Sequence, residues 1–268
     1  MSKFGYLPDK EDKRDYKVTR LAALLKVQIP SVVDWTKEMT GVENQWNEGT
    51  CVAFASIAMK EYQERKEWKR ELDLSKRYLY QGCKAIDEEP GEGTYIRCAM
   101  DVLLKRGVCP ESCWRYIPNV VGSPCKEADK LAQTFKILGY WRVDPEVDAI
   151  KESIYLNGPL VVGVDVYAKF ESAPGGVVPM PTPDEEYLGG HAICLVGYDD
   201  GKHLFKFKNS WGVIWGDGGY GYLHYDYVEP YLSDAWSCKD SLGGTPPEPS
   251  FWEKIVAWFM GLFKWMKR

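Results

Sequence analysis

What is scarce in this chain narrows its chemistry first. Its 268 residues include only three histidines, so any imidazole chemistry must use His191, His203 or His224. No uncharged apolar run approaches the roughly 18 residues of a membrane span, and no bilayer crossing is expected. Positive charge is not in excess: 34 Lys and Arg stand against 39 Asp and Glu, a net charge of −5. That balance lacks the basic footprint that grips phosphate backbones, so nucleic acid is not an expected partner. The first twenty residues interleave Lys3, Lys10, Lys13, Arg14, Lys17 and Arg20 with Asp9, Glu11, Asp12 and Asp15, which leaves no apolar core for a signal peptide. A cytoplasmic location is the resulting expectation. The eight cysteines do not settle the compartment, because a chain of this length need not bridge them.

What is present suits a folded protein: 45% of residues are apolar, 27% charged and 14% aromatic. The length fits one large domain or two lobes sharing a cleft, with roughly 70 to 75% of the unfolded surface removed from water. Residues 1–30 are polar, then mildly apolar, and read as an arm. From Gly49 onward, Val52, Ala53, Ile57, Ala58 and Tyr62 fall near helical spacing and place Cys51 in a helix's first turn. Further helices are expected over 74–85, from a Thr94 cap to a stop at Gly107, and from Asp144-Pro145 to Asn157-Gly158-Pro159. Strands are expected over 160–166, 191–198, 204–208 and 220–227, where β-branched and aromatic residues lie between Gly and Asp clusters. A helical half followed by a strand-rich half implies an α+β protein of two lobes, about 31–138 and 139–242. Residues 243–249 read as a Gly/Pro linker. Ser250 and Glu253 then form a capping box before an amphipathic tail helix, 250–268, whose charge is +3. Its tryptophans and cations suit a membrane interface or docking on the chain's own surface.

Cys51 is a candidate nucleophile, because the start of a helix favours thiolate; the competing reading is a small buried hydrophobe. Gln45 lies six residues earlier, and Gly49 permits a tight turn between them, so its amide can join the Cys51 N–H as a second donor to an oxyanion. His191 opens a strand 140 residues after Cys51, and Asn209 ends another 18 residues later. A thiol needs a base, and the base needs an acceptor that fixes its ring. Adjacent Trp211 can shield the His–Asn bond from water. No histidine or further cysteine accompanies Cys109 and Cys113 to complete a zinc site, and no metal or cofactor is expected.

The segments NQWNEGTCVAFA, GGHAICLVGYDD and FKNSWGVIWGDGGYGYL resemble the papain family of cysteine peptidases over about residues 31–240. The resemblance implies a helical lobe and an antiparallel β-barrel lobe with the site in the cleft between them. It casts Cys51 as nucleophile, His191 as acid and base, Asn209 as its orienter and Gln45 as oxyanion donor. It further implies that Gly93, Thr94 and Tyr95 line the side of the cleft before the scissile bond. Gly163, Gly190 and Ala192 would surround a roomy pocket for the second residue before that bond. The function implied is a thiol peptidase acting on peptides or proteins through an acyl-enzyme. The alternatives are a catalytically silent binding protein or an acyl transferase or ligase using the same site.

Two departures stand out. Glu48 and Val52 occupy positions where the family signature has a cysteine and an aromatic, so one usual disulfide cannot form. Cys83 and Cys125 fall where another family bridge lies and are the expected pair if any forms. Finally, Gly5-Tyr6-Leu7-Pro8-Asp9 and Arg14-Asp15-Tyr16 resemble the short arms of bacterial members, in which the arm lies over the cleft.

Overall fold

The computed structural model describes residues 4–13, 15–18, 27–69 and 71–240. The expected linker, 243–249, and tail helix, 250–268, lie outside the described residues, as does part of the arm. Along the chain come β1 (Lys17–Val18), β2 (Val32–Asp34), α1 (Cys51–Trp68), α2 (Lys76–Lys84), α3 (Ile96–Lys105) and α4 (Ala128–Ala132). They are followed by β3 (Ile137–Val143), α5 (Val147–Asn157), β4 (Leu160–Tyr167), β5 (Tyr187–Asp199), β6 (Leu204–Lys208), β7 (Tyr220–His224) and β8 (Leu232–Asp240). The α+β order expected from the sequence is present. Among the described residues, no helix is long and apolar enough to cross a membrane.

Local chemistry explains most boundaries. Ser75 caps α2 by accepting from the Tyr78 N–H at 3.0 Å. Gly107, with φ of 76°, closes the turn after α3, and Gly158, with φ of 89°, stops α5. The N-cap of α3 is Tyr95, one residue beyond the expected Thr94. Helix α1 differs more. Its end is charged in sequence, yet Lys60, Glu61 and Glu64 are buried along with its apolar residues. Lys60 holds Glu64 at 2.6 Å and also Asp240, the last residue of β8, so ion pairing replaces solvation.

The strands run in the spatial order β1-β3-β8-β4-β5-β6-β7, with β2 paired to β5. Pairing is antiparallel except between β1 and β3. The expected barrel is therefore an open sheet: among the described residues no pairing joins β7 back to β1. Strands β3 and β8, unmarked in the sequence reading, extend it. The alternation along β5 separates two cores. Ala192, Cys194 and Val196 pack with the helices, and Ile193 and Leu195 pack with Val162, Val164, Phe205 and Phe207. The cleft lies where α1 begins against β5.

The expected Cys83–Cys125 bridge does not form. Cys125 is bonded to Cys113, and Cys83 is free and buried in α2. The backbone decides this: the Cys125 N–H donates to the Cys113 carbonyl at 2.8 Å, bringing their Cα atoms to 5.0 Å, within bridging range.

Candidate active site

Cys51 is the first residue of α1, and its sulfur is fully buried. Backbone amides of Ala192, Gly5, Val52 and Cys51 itself surround it and favour the thiolate. Ala192 follows His191 on β5, so folding carries the imidazole strand to the thiol across 140 residues. Burial nonetheless outweighs these donors and pushes the thiol up to about 11. The helix start alone favours thiolate, but a dry surrounding reverses the balance.

His191 is fully buried on the face of β5 that meets the aromatic core. Its ring stacks on Trp211 at 4.7 Å between centroids and meets the edges of Phe170 and Phe4. His191 Nε2 lies 2.9 Å from Asn209 Oδ1, which also accepts the Ser210 N–H at 2.8 Å. A carbonyl oxygen can only accept, so Nε2 carries the hydrogen. In the neutral ring Nδ1 is then the basic nitrogen. Among the described residues Nδ1 has no hydrogen-bond partner. Burial pushes His191 down to about 4, opposed by the Asn209 bond. Burial thus favours the neutral form of both the thiol and the imidazole.

Gln45 is fully buried, and its amide is oriented from both ends. Ser210 Oγ donates to Oε1 at 2.5 Å, and Nε2 donates to the Glu48 carbonyl at 2.9 Å. The nitrogen thus faces the segment that enters α1. The left-handed turn of this segment falls at Trp46, with φ of 56°, and not at Gly49 as the sequence suggested. Gly49 answers to packing instead, since a Cβ there would stand 2.9 Å from Glu92 Cβ. Glu48, in the family's cysteine position, forms a bidentate pair with Arg77 of α2 at 2.6 and 2.7 Å and accepts the Asn119 N–H. A buried ion pair ties this loop to α2 where the family signature has a cysteine.

The remaining expected site residues lie around the arm. Thr94 donates its N–H to the Gly5 carbonyl at 2.9 Å and accepts the Leu7 N–H at 3.0 Å, while Gly190 accepts the Tyr6 N–H at 3.1 Å. Gly93 packs on Leu7, and the Tyr95 hydroxyl turns to Glu89. Gly163 and Gly190 face the Tyr6 ring: added Cβ atoms would come within 2.0 and 2.8 Å of it. The roomy pocket read from these glycines is filled by the chain's own tyrosine. Beneath it lies Asp234, buried and bonded to the Tyr6 hydroxyl, to the Asp9 N–H at 2.7 Å and to Arg142. The sequence reading missed Asp234, Arg142 and Arg97. The signal available was the acidic run Asp9, Asp12 and Asp15, which needs cations once an arm is packed down.

A thiol at a helix start, an imidazole held by an amide oxygen and a buried side-chain amide are groups that a cysteine peptidase requires. Residues 29–233 match the papain family of cysteine proteases. The chain belongs to that family. It is a thiol peptidase, a hydrolase whose substrates are peptides or proteins. Among solved structures it is similar to xylellain, a cysteine protease from Xylella fastidiosa. The two are 30% identical with a TM-score of 0.81, over 90% of this chain and 97% of that one. Among curated proteins it is 31% identical to an uncharacterized peptidase C1-like protein of Acanthamoeba polyphaga mimivirus, over 87% of this chain and 85% of that protein. It is 30% identical to cysteine proteinase 2 of Entamoeba histolytica, over 78% of this chain and 68% of that protein. The silent-binder and acyl-transfer alternatives are not favoured by these papain-family relatives.

Proposed function

We propose that this papain-family peptidase works through Cys51, His191, Asn209 and Gln45, and that its N-terminal arm holds it latent. His191 Nδ1 takes the Cys51 proton, and the thiolate adds to the carbonyl carbon of the scissile bond. The oxyanion receives the Cys51 N–H and the Gln45 amide, each donor worth about a hundredfold or more in rate. Collapse expels the amine, which leaves with the proton from His191. Water then gives a proton to Nδ1 and its oxygen to the acyl carbon, releasing the acid and restoring the thiol. Asn209 fixes the ring, and Trp211 covers it. The extended substrate runs beside Gly93, Thr94 and Tyr95 and places a side chain among Gly163, Gly190 and Ala192.

The observation that carries this reading is the fixed tautomer: Nε2–H on Asn209 Oδ1 leaves the basic nitrogen for the thiol. Latency has its own support. The arm packs against the entrance of α1, where a Cβ on Gly5 would stand 2.0 Å from the Gly49 carbonyl oxygen, and its Tyr6 fills the space between Gly163 and Gly190. An arm packed there occupies the cleft. We place the arm at 1–30 and the catalytic domain at 31–242, with its lobes meeting near 138. By composition alone, the tail at 250–268 is assigned to membrane contact or self-docking and the chain to the cytoplasm.

The test is labelling by an epoxide or vinyl-sulfone probe, read by intact mass, in wild type, Cys51→Ala and Tyr6→Ala. Wild-type labelling that Cys51→Ala abolishes and Tyr6→Ala accelerates is expected. Label retained by Cys51→Ala overturns the nucleophile, and an unchanged rate in Tyr6→Ala overturns latency.

A further inference from the structure

Two of the chain's three histidines take no part in the catalytic arrangement, and folding brings them together. His203 closes the turn before β6, and His224 ends β7, the strand paired with β6. Their rings lie 6.4 Å apart between centroids, 24° from parallel. The backbone holds both in place. His203 takes a left-handed conformation, with φ of 55°, donates its N–H to the Asp200 carbonyl at 3.4 Å and accepts the Tyr225 N–H at 3.0 Å. The Tyr225 hydroxyl donates to Asp200 at 2.8 Å, and Asp200 holds Lys151 at 2.6 Å, so the turn is also tied to α5.

The surroundings of His224 suit a metal-binding imidazole. Its Nδ1 accepts the Asp226 N–H at 3.2 Å and lies 3.1 Å from Asp226 Oδ2. With a metal ion on Nε2 the ring proton sits on Nδ1, which then donates to the carboxylate in place of accepting the N–H. Ligating histidines are commonly fixed in this way, the second nitrogen donating to an acid that raises the basicity of the first. The His224 and Asp226 side chains are 40% and 76% exposed and His203 is exposed, so a hydrated ion has access. Imidazole pairs suit a borderline dication such as Zn2+, whereas Ca2+ and Mg2+ call for oxygen ligands. With metal–nitrogen bonds of about 2 Å, two rings on one ion have centres roughly 5 to 6 Å apart. Small rotations of the exposed side chains close the difference.

We propose that His203 and His224 form a surface site for a divalent transition metal, Zn2+ by the character of its ligands, with Asp226 orienting His224 and water completing the coordination. The site is separate from Cys51 and does not depend on the peptidase reading. The bound ion ties the turn before β6 to the end of β7, across the hairpin whose far end leads into Asn209. It stabilises the folded chain in proportion to its occupancy.

Zn2+ binding is measured by titration calorimetry on the full-length chain carrying Cys51→Ala, which removes the catalytic thiol as a competing ligand. His203→Asn, His224→Ala and Asp226→Ala are each added to that chain; asparagine is chosen at 203 because it tolerates the left-handed conformation. Thermal unfolding without metal checks that each variant is folded. The parent is expected to bind one equivalent of Zn2+ that both histidine variants lose, and Asp226→Ala to bind it about tenfold more weakly. Zn2+ should raise the unfolding temperature of the parent and leave that of the histidine variants unchanged. No uptake by the parent overturns the proposal, as does equal uptake by the parent and either histidine variant. Unchanged affinity in Asp226→Ala overturns the orienting role of that carboxylate.

Discussion

Two clusters of buried charge link the helices to the sheet, and they are built differently. In one, Lys60 of α1 joins Glu64 of the same helix and Asp240 of β8, with every side chain at 0 or 1% exposure and on a regular element. In the other, Arg97 of α3 and Arg142 of β3 both pack on Trp236 and hold acids contributed largely by the arm. Arg97 pairs with Asp12 and Asp15, and Arg142 pairs with Asp15 and Asp234. Here Arg97 and Asp12 are about a fifth exposed, and most of the acids sit in a segment with little secondary structure. The first cluster can separate only if the fold opens. The second can separate by the departure of one strand of chain. A buried ion pair is thus a brace or a latch according to what carries its partners.

The largest expected effect tests the brace. Lys60→Met removes the cation shared by the buried Glu64 and Asp240 carboxylates and should lower stability by about 3 to 5 kcal/mol, measured by denaturant unfolding. Labelling of Cys51 in the molecules that remain folded should be unchanged. If the variant labels faster without losing stability, the brace and the latch are not distinct.

The latch gives the opposite signature. Arg97→Ala removes one partner each from Asp12 and Asp15, and the carbonyl of Lys10 loses a donor. The Cys51 labelling rate should rise roughly tenfold, with a much smaller loss of stability than Lys60→Met. A fall in rate would count against the arm as the obstruction.

A smaller effect, spread over pH, sharpens the same contrast. Asp9 accepts from Trp236 Nε1 at 3.0 Å and from the Arg97 N–H at 3.2 Å. Burial, then the Asp234 carboxylate, push it up to about 7, against Arg97 and Arg142; Tyr6 on the arm and Cys98 of α3 also face it. An acid whose pKa is raised on docking stabilises the docked arm fully below its free value, about 4. That contribution is lost as pH climbs through 7. Opening should increase over this window, by at most about tenfold per pH unit. Asp9→Asn keeps the neutral form throughout, so the ratio of wild-type to variant labelling should be near one at pH 4 and rise by pH 8. Taking this ratio cancels the ionisation of Cys51 and His191 themselves. A ratio that is flat in pH removes Asp9 from the latch.

Much of the site could be read from sequence because its logic is local or combinatorial. Cys51 at a helix start is a consequence of apolar spacing after Gly49. The His191 and Asn209 segments carry strand patterns and polar residues that have little other use. The β6 boundaries, Leu204–Lys208, agree to the residue, since a short alternating run between glycines and aspartates has one reading. By contrast, β8 was missed because its sequence LSDAWSCKD mixes polar and apolar residues without alternation. It is buried on both faces, and its aspartates are satisfied by Arg142 and Lys60 from elsewhere. The disulfide was misassigned because pairing depends on Cα separation, which spacing in sequence does not supply. Glu48 registered as a missing cysteine, and only the fold showed Arg77 opposite it.

The sequence by itself determined which groups can react. A chain with three histidines, one cysteine at a helix start and these flanking motifs has few ways to build a catalytic pair, and side-chain chemistry is carried by identity. Tertiary structure decided the state in which those groups are held. Whether a thiol is ionised, a glycine-lined pocket empty or an aspartate solvated depends on what excludes water from it. Here that is a segment more than forty residues from Cys51 and over two hundred from Asp234, a separation across which residue patterns carry no information about contact.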